Sequence, residues 1–369
     1  MHNLEITRYK PDDMPGLLAL SRLHYGNSDT GFADHFRWKY EQGPDGPAHI
    51  ILCRDTAADR LIVGKIFCLP RQAKSGTQTM RVGLLTDILV HPDYRGQGIA
   101  SRMVKALLAE CRAAGLTFAY TVPNPLSHDM HTRKLDTPTI GRIPLLVKPI
   151  DLRGFHPQWA NIPLAEPLLA LLQAAYRASG WVDRGQRLVR GSTIVIREIS
   201  HFGSALDRFW SRVQSKRPVM VERSAKYLQW RFGTVPRRVY RKWVAEKNGE
   251  AQGYIVARVM EARDFNYSSG MIADFLIADD AAGQEAGHGL LSTVTEYFQA
   301  EGVAISGSLM LPGTHEFRLL QKWGYVVCPS RLEPQPFPII QEQLQPLPPH
   351  DPSRHIAGWF FTLGDYDVV

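Results

Sequence analysis

The sequence predicts an α/β (α+β) protein built from two tandem copies of one domain, and three observations point there. At 369 residues the chain is long for a single hydrophobic core. Four short motifs recur in the same order about half a chain apart. Near the first copy's centre, a buried strand runs through a glycine turn into an amphipathic helix.

The repeat is read first, because overlooking one misassigns the whole fold. Trp38-Lys39-Tyr40 followed by Pro44 matches Trp230-Arg231-Phe232 followed by Pro236, at an offset of 192. Val63-Gly64-Lys65-Ile66 matches Gln252-Gly253-Tyr254-Ile255 at 189, and Leu85 to Val90 matches Ile272 to Ile277 at 187. Arg133-Lys134-Leu135 matches Gln321-Lys322-Trp323 at 188. Offsets that drift by so little indicate a duplication. The expected domains are residues 1–150 and 191–369, joined by a helical linker over 151–190.

In the linker, Leu168, Leu171, Leu172 and Ala175 lie at helical spacing. They predict a helix packed on one or both domains, bounded by Pro157, Pro163, Gly180 and Gly191. Residues 329–352 carry eight prolines, which argues against a helix or central strand there. Trp359 to Leu363 is apolar enough for a closing strand.

The chemistry concentrates between Leu84 and Gly115. Leu84 to Val90 is a nearly continuous apolar run, as expected of a strand covered on both faces. His91-Pro92-Asp93-Tyr94 stops it, and Arg95-Gly96-Gln97-Gly98-Ile99-Ala100 follows. Ile99, Met103, Ala106, Leu107 and Cys111 then mark an amphipathic helix that Gly115 ends. Glycines let a backbone approach a ligand closely, and the first amides of a helix have no internal partner. With the helix dipole they form a site for phosphate or pyrophosphate, to which Arg95 adds a charge-assisted contact. The dinucleotide fingerprint is excluded because Ser101 stands where its third glycine belongs, and no Gly-Lys-Ser/Thr of a P-loop occurs.

Val90-x-Pro92-x-x-Arg95-x-x-Gly98-x-Ala100 resembles motif A of the GNAT superfamily, whose signature is Arg/Gln-x-x-Gly-x-Gly/Ala. The resemblance extends over most of the chain and implies two tandem GNAT-like domains, each a mixed, mostly antiparallel sheet flanked by helices. It implies an acyl-CoA co-substrate such as acetyl-CoA. Backbone amides of Gln97, Gly98, Ile99 and Ala100, with Gly96 and Arg95, would hold the pyrophosphate. Leu89 and Val90 would pair with the pantetheine arm. Asn124 would cap the next helix beside the cleft. In the second copy Gln284-x-x-Gly287-x-Gly289 fits the signature formally. Asp279-Asp280, however, replace His91-Pro92, and Arg95 has no cationic counterpart. Two acids beside a polyphosphate site oppose binding, so the second copy is expected to be degenerate.

Acylation of an amine needs a group to take its proton and one to protonate the leaving thiolate. Asp87 is the one carboxylate in the strand along the expected cleft, although Asp274 at the same place in the second copy favours a structural role for both. The family's usual acid, a Tyr in the helix after Asn124, is replaced by Thr132, and by Leu320 in the second copy. Tyr120, His131 and Ser127 are the nearby substitutes. Tyr25 to Tyr40, with Asp29, Asp34 and His35, covers the loop that shapes the acceptor pocket in GNAT folds.

The remaining expectations follow from composition. Hydrophobic residues make up 44% and charged residues 21%, ordinary for a folded protein. No stretch is apolar enough to span a membrane, no signal peptide opens the chain, and the four scattered cysteines fit a reducing cytoplasm. A structural metal is not expected: His128 and His131 are the nearest approach to a ligand pair, with no third ligand nearby. Net charge is +7, and Arg208 to Lys242 holds eleven Lys and Arg against one Glu. That segment is either a solvated face or a surface for an acidic ligand. The acceptor is expected to be a small-molecule amine, with a phosphate-linked amino sugar of surface-polysaccharide synthesis as the leading candidate and no nucleic acid. The alternative is a catalytically inactive tandem GNAT scaffold, which the missing Tyr favours.

Overall fold

The computed structural model describes residues 3–76, 78–155, 165–178, 193–216, 219–262 and 267–366. Among the described residues, fifteen strands form two sheets. The first holds β1 (Leu4–Arg8), β2 (His49–Asp55), β3 (Leu61–Ser75), β4 (Gln78–Val90), β5 (Phe118–Thr121) and β6 (Thr139–Arg142). The second holds β7 (Leu145–Pro149), β8 (Val195–Glu198), β10 (Arg241–Lys247), β11 (Glu250–Ala262), β12 (Tyr267–Ile277), β13 (Ile305–Leu309) and β14 (Val326–Val327). Two strands from the second half, β9 (Val219–Val221) and β15 (Pro338–Gln343), join the first sheet.

The strand orders expose the duplication. The first sheet runs β1-β2-β3-β4-β5-β15-β6 and the second β8-β10-β11-β12-β13-β7-β14. Each sheet is antiparallel except for one parallel pair, β4 with β5 and β12 with β13. The sixth place in each is filled by the strand that follows the other copy's seventh, so the copies exchange strands. The expected boundary at residue 150 therefore does not divide the sheets: Leu145–Pro149 pairs with β13 and β14. Nor is the proline-rich stretch free of a central strand. β15 lies between β5 and β6 because its one proline, Pro338, is its first residue, where a missing amide costs no interior ladder bond.

Trp38 and Trp230, the matching tryptophans of the repeat, meet where the copies touch. Their rings stack with centroids 5.0 Å apart. The Trp38 indole donates to the Trp230 carbonyl at 2.9 Å, and Trp230 returns the bond to the Trp38 carbonyl at 3.0 Å. Arg71 covers the Trp230 ring at 4.6 Å. The main core, from Leu17 to Tyr366, runs through both copies without a break, and a smaller one lies beneath the helix Ile99–Ala113. Burying so many aromatic faces at one seam stabilises the two copies as a unit.

Three further expectations are corrected. Trp359 to Leu363 is buried but pairs through one isolated bridge to Val219. Thr362 and Asp365 turn it into a tight 3-10 loop instead of a strand. The linker helix Ala165–Ala178 exists, but Leu168, Leu171 and Leu172 face solvent, Leu171 at 66% exposure. Among its described side chains Gln173 is buried, accepting from the Leu152 amide at 2.7 Å, and the Tyr176 hydroxyl donates to the Pro149 carbonyl at 2.9 Å. Pro157, Pro163, Gly180 and Gly191 lie outside the described residues. The basic segment is a solvated face only in part: Arg208, Arg212, Lys216 and Lys226 are exposed. Arg223 and Arg231 are buried, while Arg237 and Arg238 pair with Asp34 and Asp29 across the two copies.

Candidate functional site

β4 and β5 pair only at Gly83 with Ala119 and Leu84 with Tyr120. Beyond that the strands part. A register slip causes this: Phe67 pairs with Thr86 but Lys65 with Leu89, so Asp87 and Ile88 share the place opposite Ile66. Such a bulge bends the strand and leaves it locally unpaired. Asp87 takes the left-handed conformation there, φ +52°, which Asp tolerates better than most residues. The Lys39 ammonium donates to its carboxylate at 2.8 Å, and the Tyr40 hydroxyl donates to the same oxygen.

The parted strands open a cavity of about 500 Å³. Asp87, Thr121, Asn124, Ser127 and His131 supply polar groups, and Tyr25, at the end of the helix Met14–Tyr25, also lines it. Asn124 caps the helix Pro125–Asp129, its side chain accepting from the Ser127 amide at 2.9 Å. The His91 amide donates to the Val63 carbonyl. By the alternation of an antiparallel ladder, Leu89 likewise faces β3, and Ile88 and Val90 turn their backbone groups to the gap. Ile88 was not legible as a site residue, because only the bulge decides which residues face outward.

At the strand's end stands the turn that the motif predicts. Gly96 and Gly98 both have positive φ, +80° and +71°, and Gly98 is the N-cap of the helix Ile99–Ala113. A side chain at either would be strained whatever the space around it. Arg95, Gly96 and Gln97 are exposed. Among the described residues, the amides of Gln97, Gly98, Ile99 and Ala100 donate to no protein acceptor. Arg95 lies alongside, its Nε 3.4 Å from the Val90 carbonyl.

The three candidate proton carriers are not brought together. Asp87 and His131 line the cavity, but Tyr120 does not. Tyr120 is buried against Trp359 and donates to the Asp365 carbonyl at 3.3 Å. Burial pushes its pKa well up. His131 is 3% exposed, and its burial, with His128 nearby, pushes its pKa down to about 4. It is therefore neutral at pH 7.

The second copy closes both halves of this site. The helix Ala281–Ala300 begins before the formal signature, so Gln284, Gly287 and Gly289 lie inside it. The Asp280 carboxylate caps it, accepting from the Gly283 amide at 2.8 Å. A Cβ on Gly287 would sit 2.3 Å from Leu319, and one on Gly289 2.9 Å from Ile196. These glycines serve helix packing. The amide of Ile277, the counterpart of Val90, donates to the buried Glu316 carboxylate at 3.1 Å.

Residues 5–132 match the family model described as an acetyltransferase (GNAT) domain. Solved structures extend the likeness over the whole chain. A GCN5-related N-acetyltransferase from Anabaena variabilis aligns at a TM-score of 0.63 and 11% identity, over 93% of this chain and 73% of that one. A probable N-acyltransferase from Enterococcus faecalis aligns at 0.62 and 11%, over 94% and 73%. Saccharomyces cerevisiae N-myristoyltransferase with bound myristoyl-CoA aligns at 0.58 and 9%, over 93% and 79%. At these identities the structures share the fold. No curated protein matches significantly. The fold is the mixed α/β fold of those GNAT structures. By the family-model match, residues 5–132 carry a GNAT-type domain. Among the described residues no helix is long and apolar enough to cross a membrane.

Proposed function

We propose that the chain is an acyl-CoA-dependent N-acyltransferase whose CoA site lies in the first domain. One observation carries this reading: four unpartnered amides at a glycine turn heading a fifteen-residue helix, beside a parted strand edge. Such a turn offers a pyrophosphate fixed donors and the positive end of a helix dipole. Gln97 to Ala100 would hold the pyrophosphate with Arg95. Ile88 and Val90 would hold the pantetheine arm, and Asn124 would shape the cleft.

The amine attacks the thioester carbonyl carbon, the C–S bond breaks, and one proton must pass from nitrogen to sulfur. His131 is the imidazole that lines the cavity, which supports it as the carrier, although its lowered pKa makes it a weak base. Asp87, already engaged by Lys39 and Tyr40, would hold the bulge in shape. Tyr120 is too deeply sealed to serve. The cavity lining contains no Lys or Arg, so a phosphate-linked amino sugar would have to keep its phosphates outside. An uncharged amine body fits the lining better.

The test is thermal denaturation with and without acetyl-CoA. Ligand binding to the folded state raises the wild-type midpoint. Gly98→Asp should abolish the rise, weakening affinity at least about 100-fold through strain and charge. Arg95→Ala should weaken it by about 1.5–3 kcal/mol. An undiminished rise in Gly98→Asp would remove the CoA site from this turn.

A further inference from the structure

The cavity of about 500 Å³ is lined in large part by apolar side chains, and where they stand indicates what fills it. Ile66 and Leu85 belong to the core beneath the helix Ile99–Ala113, whereas Leu84, Phe337 and Leu363 belong to the core between the sheets. All five line the cavity, so it passes through the sheet at the split. The pairing of Gly83 and Leu84 with β5 closes that split at its inner end. A chain following the β4 edge inward from Val90 meets this closure and must turn out of the sheet plane. On the side between the sheets it meets Met260 and Met271 of the second copy, with Phe337 and Leu363. The ionisable groups lie elsewhere: Asp87 and His131 stand on the bulge and the β5 side with Asn124 and Ser127, whereas the methionine end adds only the neutral Ser269, Gln335 and Tyr366. Methionines adapt to flexible apolar guests, and a primary amine has no carboxylate to meet at the methionine end.

We propose that this inner chamber seats an acyl chain longer than acetyl, of about six to ten carbons. The proposal rests on the acyl-CoA reading above. With ~30 Å³ for a group the size of a water molecule, eight carbons fill about half of the space. The rest is left to the end of the pantetheine arm beside Ile88 and to the acceptor at the polar end. Met260, Ser269 and Met271 are all half-buried, so the second copy, which holds no CoA in this reading, would measure chain length for the first.

The test is calorimetric titration of the full chain with CoA, acetyl-, hexanoyl-, octanoyl- and dodecanoyl-CoA. Affinity should rise at least about tenfold from acetyl- to octanoyl-CoA, well below the about fourfold per methylene that full burial permits, and then level off. Met271→Trp, or Ser269→Phe should the first fail to fold, should erase the gain and leave the acetyl-CoA affinity within about twofold. Equal affinities for all chain lengths, with acetyl-CoA binding intact, would overturn the proposal and give the chamber to the acceptor. A gain that survives both substitutions would also overturn it, because the chain would then lie elsewhere. Absence of binding by every CoA species would sink the acyl-CoA reading itself, and this one with it.

Discussion

The two copies start from the same glycine signature and put it to opposite uses. In the first, the helix starts at Ile99, after the glycines, and four amides have no protein acceptor among the described residues. In the second it starts at Ala281, three residues before Gln284, and the same glycines press against Leu319 and Ile196. The strand edges diverge in parallel: Val90 faces the gap, while Ile277 is engaged by Glu316. The two aspartates diverge as well. Asp274 is fully buried between Arg223, Tyr254 and Thr362, whereas Asp87 opens to the cavity at 11% side-chain exposure. A short motif thus gains its meaning from where the helix begins and from which carboxylates lie close enough to occupy the amides.

The largest effect should come from the aspartate pair. Arg223 bonds Asp274 at 2.9 Å and Asp365 at 2.6 Å, with all three side chains buried. Arg223→Ala strands two carboxylates and should cost about 3–5 kcal/mol by urea denaturation. Lys39→Met should cost only about 1–2 kcal/mol, because Asp87 keeps Tyr40 and reaches the cavity. Equal costs would mean that both copies use their aspartate alike.

Next comes His131, whose counterpart in the second copy is Leu319. The folded-state pKa, about 4, lies below the ordinary value of about 6.5. The unfolded chain therefore binds the extra proton first as pH falls. The His131 contribution is complete above about pH 6.5 and is lost progressively down to about pH 4, by up to about 3 kcal/mol. His131→Leu should flatten the stability profile across that window. A profile that keeps the wild-type slope would assign the loss to other groups.

The smallest effect is expected at the formal signature of the second copy. Gln284→Ala should leave CoA affinity unchanged within about twofold, since this side chain bonds His315 and lies inside a helix. Calorimetry finding two CoA equivalents per chain, or a marked loss in this variant, would restore a second site.

The repeat was legible because its aromatic pair lies on the contact between the copies and cannot drift without breaking two reciprocal bonds. The pyrophosphate turn was legible because left-handed backbone favours glycine. The strand exchange was not. Alternation shows that Leu145–Pro149 is a strand but not which sheet completes it, and the prolines around Ile339 and Ile340 hide the short ladder between them. Tyr120 was misplaced for a related reason. In a strand buried on both faces the pattern cannot say which side chain meets a cavity, and it was Thr121 that did. The solvent-facing leucines at 168, 171 and 172 show that helical spacing locates a face but does not name what covers it.

The reciprocal strands also govern how the chain can be built and divided. A ribosome that has released only residue 150 has delivered β5 and β6 but not the strand that lies between them, which comes from Pro338–Gln343. The first sheet must wait, incomplete, for nearly the whole polypeptide, and contacts this distant in sequence slow folding. Cutting the gene at the repeat boundary would give each half the other half's strand. The duplication that made two domains by descent has left one indivisible unit of assembly.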